Sequence, residues 1–179
     1  MRNICITFLI VGIIILSGIG VLNEKKTVHE EYLRIHIRAN SNLDIDQAVK
    51  YKVKDAVVNF LTPFIAECTS KEKAVNMLSV RLSGVEKVAN KVLYDNGFNY
   101  ESRAKIKNEE FPTRVYSSFT LESGFYDALI IELGNGTGDN WWCVVYPPLC
   151  FTDGASYQYK SKIFEIILDF QKRFNKGEI

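Results

Sequence analysis

Apolar and polar positions along this chain fall into three patterns. The first is an unbroken apolar run from Ile4 to Leu22, nineteen residues without a charge. As a helix it spans ~28 Å, close to the ~30 Å thickness of a bilayer's hydrocarbon core. Arg2 precedes it as a short positive region. Two readings fit residues 1–22. One is a signal peptide, apolar to Leu16 and then small at Gly18 and Gly20, with cleavage after Gly20. The other is an uncleaved anchor that uses the full length. Both place residues 23–179 outside the cytoplasm. A buried core helix fits poorly, because the run has no polar face.

The second pattern is alternation. In "YLRIHIRAN", residues 32–40, Leu33, Ile35 and Ile37 share one side and Arg34, His36 and Arg38 the other, which predicts a half-buried strand. Similar stretches predict strands at 98–107, 113–121, 125–134 and 141–146. The third pattern has helical spacing. Ile45, Val49, Val53, Ala56, Val57 and Phe60 form one stripe, with Asp44 as N-cap and Gln47 three residues on. Thr62-Pro63 predicts its end. A second helix is expected from Thr69, with Glu72 completing its cap, to the stop at Asn96-Gly97. A third is expected from about Lys160 to Phe174, burying Ile163, Phe164, Ile167, Leu168 and Phe174. The expected fold class is α+β: a mostly antiparallel sheet of about five strands with about three packed helices. The expected organisation is an export or anchor segment at 1–22, a linker at 23–31 and a single domain at 32–176.

Charge removes several functions. Setting aside Arg2, residues 23–179 carry 21 bases against 21 acids. A neutral domain has no electrostatic footprint for nucleic acid and no polybasic patch for anionic lipid. At 47% hydrophobic residues the composition is that of a folded protein.

Candidate chemistry concentrates in "GNGTGDNWWCVVYPPLC", residues 134–150. Gly134, Gly136 and Gly138 do not make a phosphate cradle, which follows a strand and opens a helix. Here the glycines join two strands, as in a hairpin connection. The four cysteines and two histidines lack metal-site spacing. No cofactor is expected. Cys143 and Cys150 are either a disulfide of an exported protein or two buried thiols. A cysteine hydrolase would need a histidine, and His36 is the one credible partner, with Asp153 to orient it. Trp141 and Trp142 point to opposite faces of a strand, so one is core and the other meets a helix, a loop or a partner. Arg38, Asn40, Asn140 and the exposed tryptophan are the candidate partner-binding patch, if strands 32–38 and 141–146 pair antiparallel.

Two blocks carry a family resemblance. "RIHIRANSNLDIDQAVKYKVKDAV", residues 34–57, and "FPTRVYSSFTLESGFYDALIIELGNGTGDNWWCVVYPPLCF", residues 111–151, resemble the two motifs of the stage II sporulation protein R family. The first matches at His36, Ala39, Asn40, Ser41, Asp46, Gln47, Lys50, Val53, Lys54, Asp55 and Ala56. The second matches at Phe111-Pro112, at Gly124, Tyr126, Ala128 and Leu129, at the three glycines, and through "NWWCV" and "PPLCF". The resemblance implies a secreted, non-enzymatic signal of endospore formation. It would act between the forespore and mother-cell membranes on a membrane-embedded aspartyl protease of the mother cell, triggering processing of the sigma factor E precursor. An uncleaved residue 4–22 segment would add a membrane contact. The extracytoplasmic cysteine hydrolase remains the alternative.

Overall fold

The computed structural model describes residues 28–116, 119–151 and 157–177. The export or anchor segment at 1–22, most of the linker and Asp153 lie outside these residues. Among the described residues, no helix is long and apolar enough to cross a membrane. A short turn of helix, α1 (Val28–Glu31), leads into β1 (Leu33–Arg38). Three helices follow: α2 (Asp44–Ile65), α3 (Lys71–Ser79) and α4 (Leu82–Asp95). Then come β2 (Ser102–Phe111), β3 (Arg114–Tyr116), β4 (Phe119–Leu121), β5 (Gly124–Leu133) and β6 (Asn140–Tyr146). The last element is α5 (Tyr157–Asn175).

The fold is α+β with a mixed sheet of four strands in the order β2-β5-β1-β6, and β3 and β4 form a separate two-stranded hairpin. Two of the sheet's three pairings, β2 with β5 and β1 with β6, are antiparallel as expected, and the expected five-stranded sheet is corrected in two ways. First, β1 pairs parallel with β5, Ile35 opposite Leu129, and antiparallel with β6, Arg38 opposite Asn140. The three intervening helices return the chain so that two strands far apart in sequence run the same way, as a parallel pair requires. Second, the stretch 113–121 folds back on itself, Val115 opposite Thr120, instead of extending as one strand.

Both faces of β1 and β5 are covered. On the inner face Leu33, Ile35, Ile37, Leu129, Ile131, Cys143 and Val145 pack with Val49, Val53, Val57, Leu61, Leu78, Val85 and Leu93 of the three helices. On the outer face Phe111, Tyr126, Ala128, Ile130 and Val144 form a second cluster with Tyr32, Leu121 and Phe170. A strand expected to be half-buried is therefore buried on both sides: Arg34 and His36 are 0% exposed.

The helices also depart from expectation. α2 runs through Pro63 to Ile65. Proline there removes the donor to the carbonyl of Asn59, an exposed residue, while Leu61, Thr62 and Ile65 stay buried and hold the last turn. The cap of α2 is Leu43 rather than Asp44, without a side-chain cap bond. The second expected helix is two, broken at Val80-Arg81, and α3 is capped by Ser70, whose hydroxyl accepts from the Lys73 amide. On α5, Phe164, Leu168 and Phe174 are exposed, and Phe170 with Ile166 and Ile167 makes the contacts. The expected stripe was therefore wrong for those three residues, since the helix turns Ile166, Ile167 and Phe170 to the two cores instead, and the side chain of Ile163 lies outside the described residues.

Candidate functional site

Two constellations grow out of β1. The first is where the two sequence motifs meet. At the end of β1 the chain turns through Asn40-Ser41-Asn42 into α2, and the glycine loop between β5 and β6 closes over that turn. Asn40 Oδ1 accepts from the Asn135 amide at 2.9 Å, and its carbonyl accepts from Thr137 Oγ1 at 2.7 Å. The Gly138 amide donates to the Ala39 carbonyl at 2.9 Å, and the Asp139 amide to Asn42 Oδ1 at 2.6 Å. A Cβ on Gly138 would sit 2.2 Å from the Ser41 carbonyl oxygen, so only glycine permits this approach. Beneath the turn, Asp46 accepts from Ser41 Oγ at 2.6 Å, Asn40 Nδ2 at 3.0 Å and Tyr100 hydroxyl at 2.5 Å. Burial pushes the Asp46 carboxyl up, but these three donors outweigh it and hold its pKa below the ordinary value. Lys50, 1% exposed, donates to Gln47 Oε1 at 2.6 Å and the Asp139 carbonyl at 2.9 Å. Asn40, Ser41, Asp46, Gln47 and Lys50 of the first motif thus meet the glycine loop of the second in one clamp, their polar atoms spent on one another and on the loop backbone.

The second constellation lies on the outer face. Strand register sets Arg34, His36 and Arg38 side by side, with Ala128, Ile130 and Glu132 on one flank and Val144, Trp142 and Asn140 on the other. Aromatic rings line the face in sequence. His29 stacks on Tyr126 at 4.5 Å, and Tyr126 meets Phe111 edge-on at 5.9 Å. Phe111 meets Trp142 at 4.8 Å, and Trp142 stacks on His36 at 4.7 Å. The Arg34 guanidinium lies over Phe111 at 4.2 Å and Tyr126 at 4.8 Å. It donates from Nη2 to the Tyr116 hydroxyl at 3.1 Å.

This face concentrates unmet hydrogen bonding. Among the described residues, buried side-chain atoms without a partner are Arg34 Nε and Nη1, both His36 ring nitrogens, Glu109 Oε2, Asn140 Oδ1 and Arg173 Nε. All but the last lie on or beside the outer face of β1. Native interiors satisfy nearly all such atoms, so a cluster of exceptions marks function or strain. His36 Nε2 is 3.3 Å from Glu109 Oε2, but not in hydrogen-bonding geometry. Burial, reinforced by the Arg38 charge, lowers the His36 pKa from 6.5 to about 4 against the opposing pull of Glu109 and Glu132. The imidazole is therefore neutral. Arg38 is committed to Glu109 and, at 2.8 Å, to Glu132.

The expected patch residues separate. Arg38, Asn140 and Trp142 stand together on the outer face, with β1 and β6 paired antiparallel as the patch required. Asn40 is spent in the clamp, and Trp141 packs against the inner cluster, with Lys54 5.9 Å from its ring. Both indoles are half-buried. Cys143 and Cys150 are joined in a disulfide with Cα atoms 6.3 Å apart. Cys143 faces the helices whereas His36 faces outward, so the sheet lies between the two halves of the hydrolase pair. Sequence reasoning passed over Arg34, Tyr116 and Glu109. The alternation of β1 carried no signal for them, because it separates the two faces of a strand without showing that a second layer covers the polar one.

The model of the stage II sporulation protein R family matches residues 29–156. The stage II sporulation protein R of Bacillus subtilis (strain 168) is 35% identical over 131 residues, covering 73% of this chain and 58% of that protein. The chain thus spans less than two thirds of the length of that curated relative. No solved structure matches the chain.

Proposed function

The chain belongs to the stage II sporulation protein R family, and from that premise we propose that it is an exported, non-enzymatic signal of endospore formation. It acts in the space between forespore and mother-cell membranes. Its target is a membrane-embedded aspartyl protease of the mother cell, whose activation leads to processing of the sigma factor E precursor. The observation that carries this reading is the family match, which spans both motif blocks. Three features agree with it. The motif residues are used as architecture, in a clamp. The Cys143–Cys150 disulfide suits an oxidising compartment. The apolar segment Ile4–Leu22 suits export, whether it is cleaved or kept as an anchor. The hydrolase alternative is disfavoured, because its thiol is bonded to another cysteine and lies across the sheet from His36.

The test replaces the native signal of an endospore-forming cell with this chain and follows cleavage of the sigma factor precursor. The full chain restores cleavage, a chain lacking residues 1–22 does not, and Cys143→Ser/Cys150→Ser restores it at temperatures where that variant stays folded. Restoration by the chain lacking residues 1–22 would refute export. Complete loss with the folded serine double variant would return the hydrolase.

A further inference from the structure

Among the described residues, Arg34 is a cation buried without an anion. It is 0% exposed, and no carboxylate among the described residues pairs with it. A guanidinium cannot shed its charge to escape burial. Desolvation is costly unless charge and hydrogen bonds are returned. The rings of Phe111 and Tyr126 return part of the charge term, and the Tyr116 hydroxyl returns one hydrogen bond. Nε and Nη1 receive nothing. Nor do the neighbouring charges help. Glu109 and Glu132 are taken by Arg38, and Arg114 adds a second positive group 5.6 Å over Trp142.

We propose that Arg34 is a recognition site for a carboxylate of a partner protein, its place held in the free protein by the Tyr116 hydroxyl. Tyr116 occupies Nη2, the nitrogen shared by both edges through which a guanidinium binds a carboxylate bidentately. Displacing that hydroxyl opens both edges. Tyr116 belongs to the β3–β4 hairpin, whose ladder pairs only with itself, so the sheet need not break. A carboxylate fits better than a phosphate dianion, since Arg34 is the one guanidinium buried between the aromatic walls and balances a single charge, while Arg114 is exposed and stands over Trp142 instead. A protein fits better than a free acid because of the adjoining space. A cavity of about 350 Å³ lies between the hairpin and α5, with Tyr32, Leu121, Leu149 and Phe170 as its apolar wall, Gln171 and Asn175 as a polar edge, and no charged side chain in its lining. Tyr32 and Leu121 also belong to the cluster that holds Phe111 and Tyr126. The carboxylate's apolar neighbours would enter there. This deepens the signalling reading and rests on it, with the protease or its assembly as the partner.

Two measurements test it. In the first, the full chain in an uncharged detergent is titrated with acetyl-Leu-Glu-amide, phosphate and chloride at matched ionic strength, and the Arg34 Nε–H resonance is followed. The peptide moves it saturably, chloride does not, phosphate acts more weakly, and Tyr116→Phe tightens the peptide at least twofold. In the second, Arg34→Met keeps the stem and removes the charge. Its thermal midpoint stays level or rises, while precursor cleavage in cells falls at least tenfold. An unmoved Arg34 resonance, stronger binding of phosphate, or a midpoint that falls together with cleavage would each overturn the proposal. If Arg34→Met does not fold, the titration of the unaltered protein decides. Failure of the unaltered chain to support cleavage would sink the signalling reading alone, since the titration reads Arg34 independently.

Discussion

At the scale of single residues, the same strand position means different things depending on what covers it. His36 has a polar side chain on an alternating strand, yet it is enclosed by Phe111 and Trp142 and held neutral. Its folded pKa is lowered from 6.5 to about 4, so the unfolded chain binds the proton more readily between those values. Stability is full above about pH 6.5 and declines as pH falls toward 4, by at most about 3 kcal/mol from this group. Urea midpoints of the unaltered protein should fall over that window more steeply than those of His36→Phe. The facing charges Arg38, Glu109 and Glu132 stay in both proteins. The two indoles separate in the same way. Trp141→Ala and Trp142→Ala should each cost ~3 kcal/mol in thermal unfolding, near the low end for a large aromatic because both are half-buried. A loss of precursor cleavage beyond that matched by unfolding is expected for Trp142 alone, the indole on the Arg34 face.

Elements here are fixed by contacts between distant segments. α2 begins where it does because Ser41, Asn40 and Tyr100 converge on Asp46, and the glycine loop has its shape because it lies on that turn. Gly138→Ala drives a Cβ into the Ser41 carbonyl, a backbone atom that cannot swing away. It should lower stability by ~2–4 kcal/mol, as overpacking of a tight site does, whereas Gly97→Ala meets nothing within 4 Å and suffers only from its positive φ of 80°. Thermal melts of the two variants side by side check this. At the other end of β6, the disulfide closes a short loop over Pro147 and Pro148, and such a loop contributes about 2–3 kcal/mol through the unfolded chain. Thiol labelling in denaturant without reductant should therefore mark Cys68, and Cys5 where residues 1–22 are retained, but neither Cys143 nor Cys150. Labelling of those two as well would refute the bridge.

At the scale of the molecule, one sheet separates two cores. The inner core is large and mainly aliphatic, and the outer one is smaller and aromatic and, among the described residues, carries most of the unpaired buried polar atoms. Because β1 and β5 contribute to both, neither core should melt alone. Trp142→Phe leaves Trp141 to report the inner cluster, and Trp141→Phe leaves Trp142 to report the outer. Their fluorescence transitions in urea should coincide once each is scaled to its own stability. Non-coincidence with an early Trp142 transition would mean that the outer face opens by itself.

The sequence by itself determined where most of the elements lie, since apolar periodicity is a local property, while contacts between distant segments set their ends and splits. It placed β1, β5, β6 and the first helix to within a few residues, and it tied residues 34–57 and 111–151 to one family. It also left Cys143 or Cys150 with His36 as the thiol–imidazole pairing to weigh. It did not say that β1 runs parallel to β5, because direction depends on how three helices return the chain. Nor did it say that Pro63 would be carried inside a helix, since packing of Leu61 and Ile65 outweighs one missing hydrogen bond. The stripe of α5 was misread because Ile166 and Phe170 lie next to Phe164, Leu168 and Phe174 on the helix surface, and only docking selects which of them are covered. Above all, a period of two distinguishes the faces of a strand but not whether the second face is covered. Arg34 read as solvated, and the tertiary structure buried it, because a hairpin and an aromatic row from residues 111–142 close over a strand laid down at 33–38.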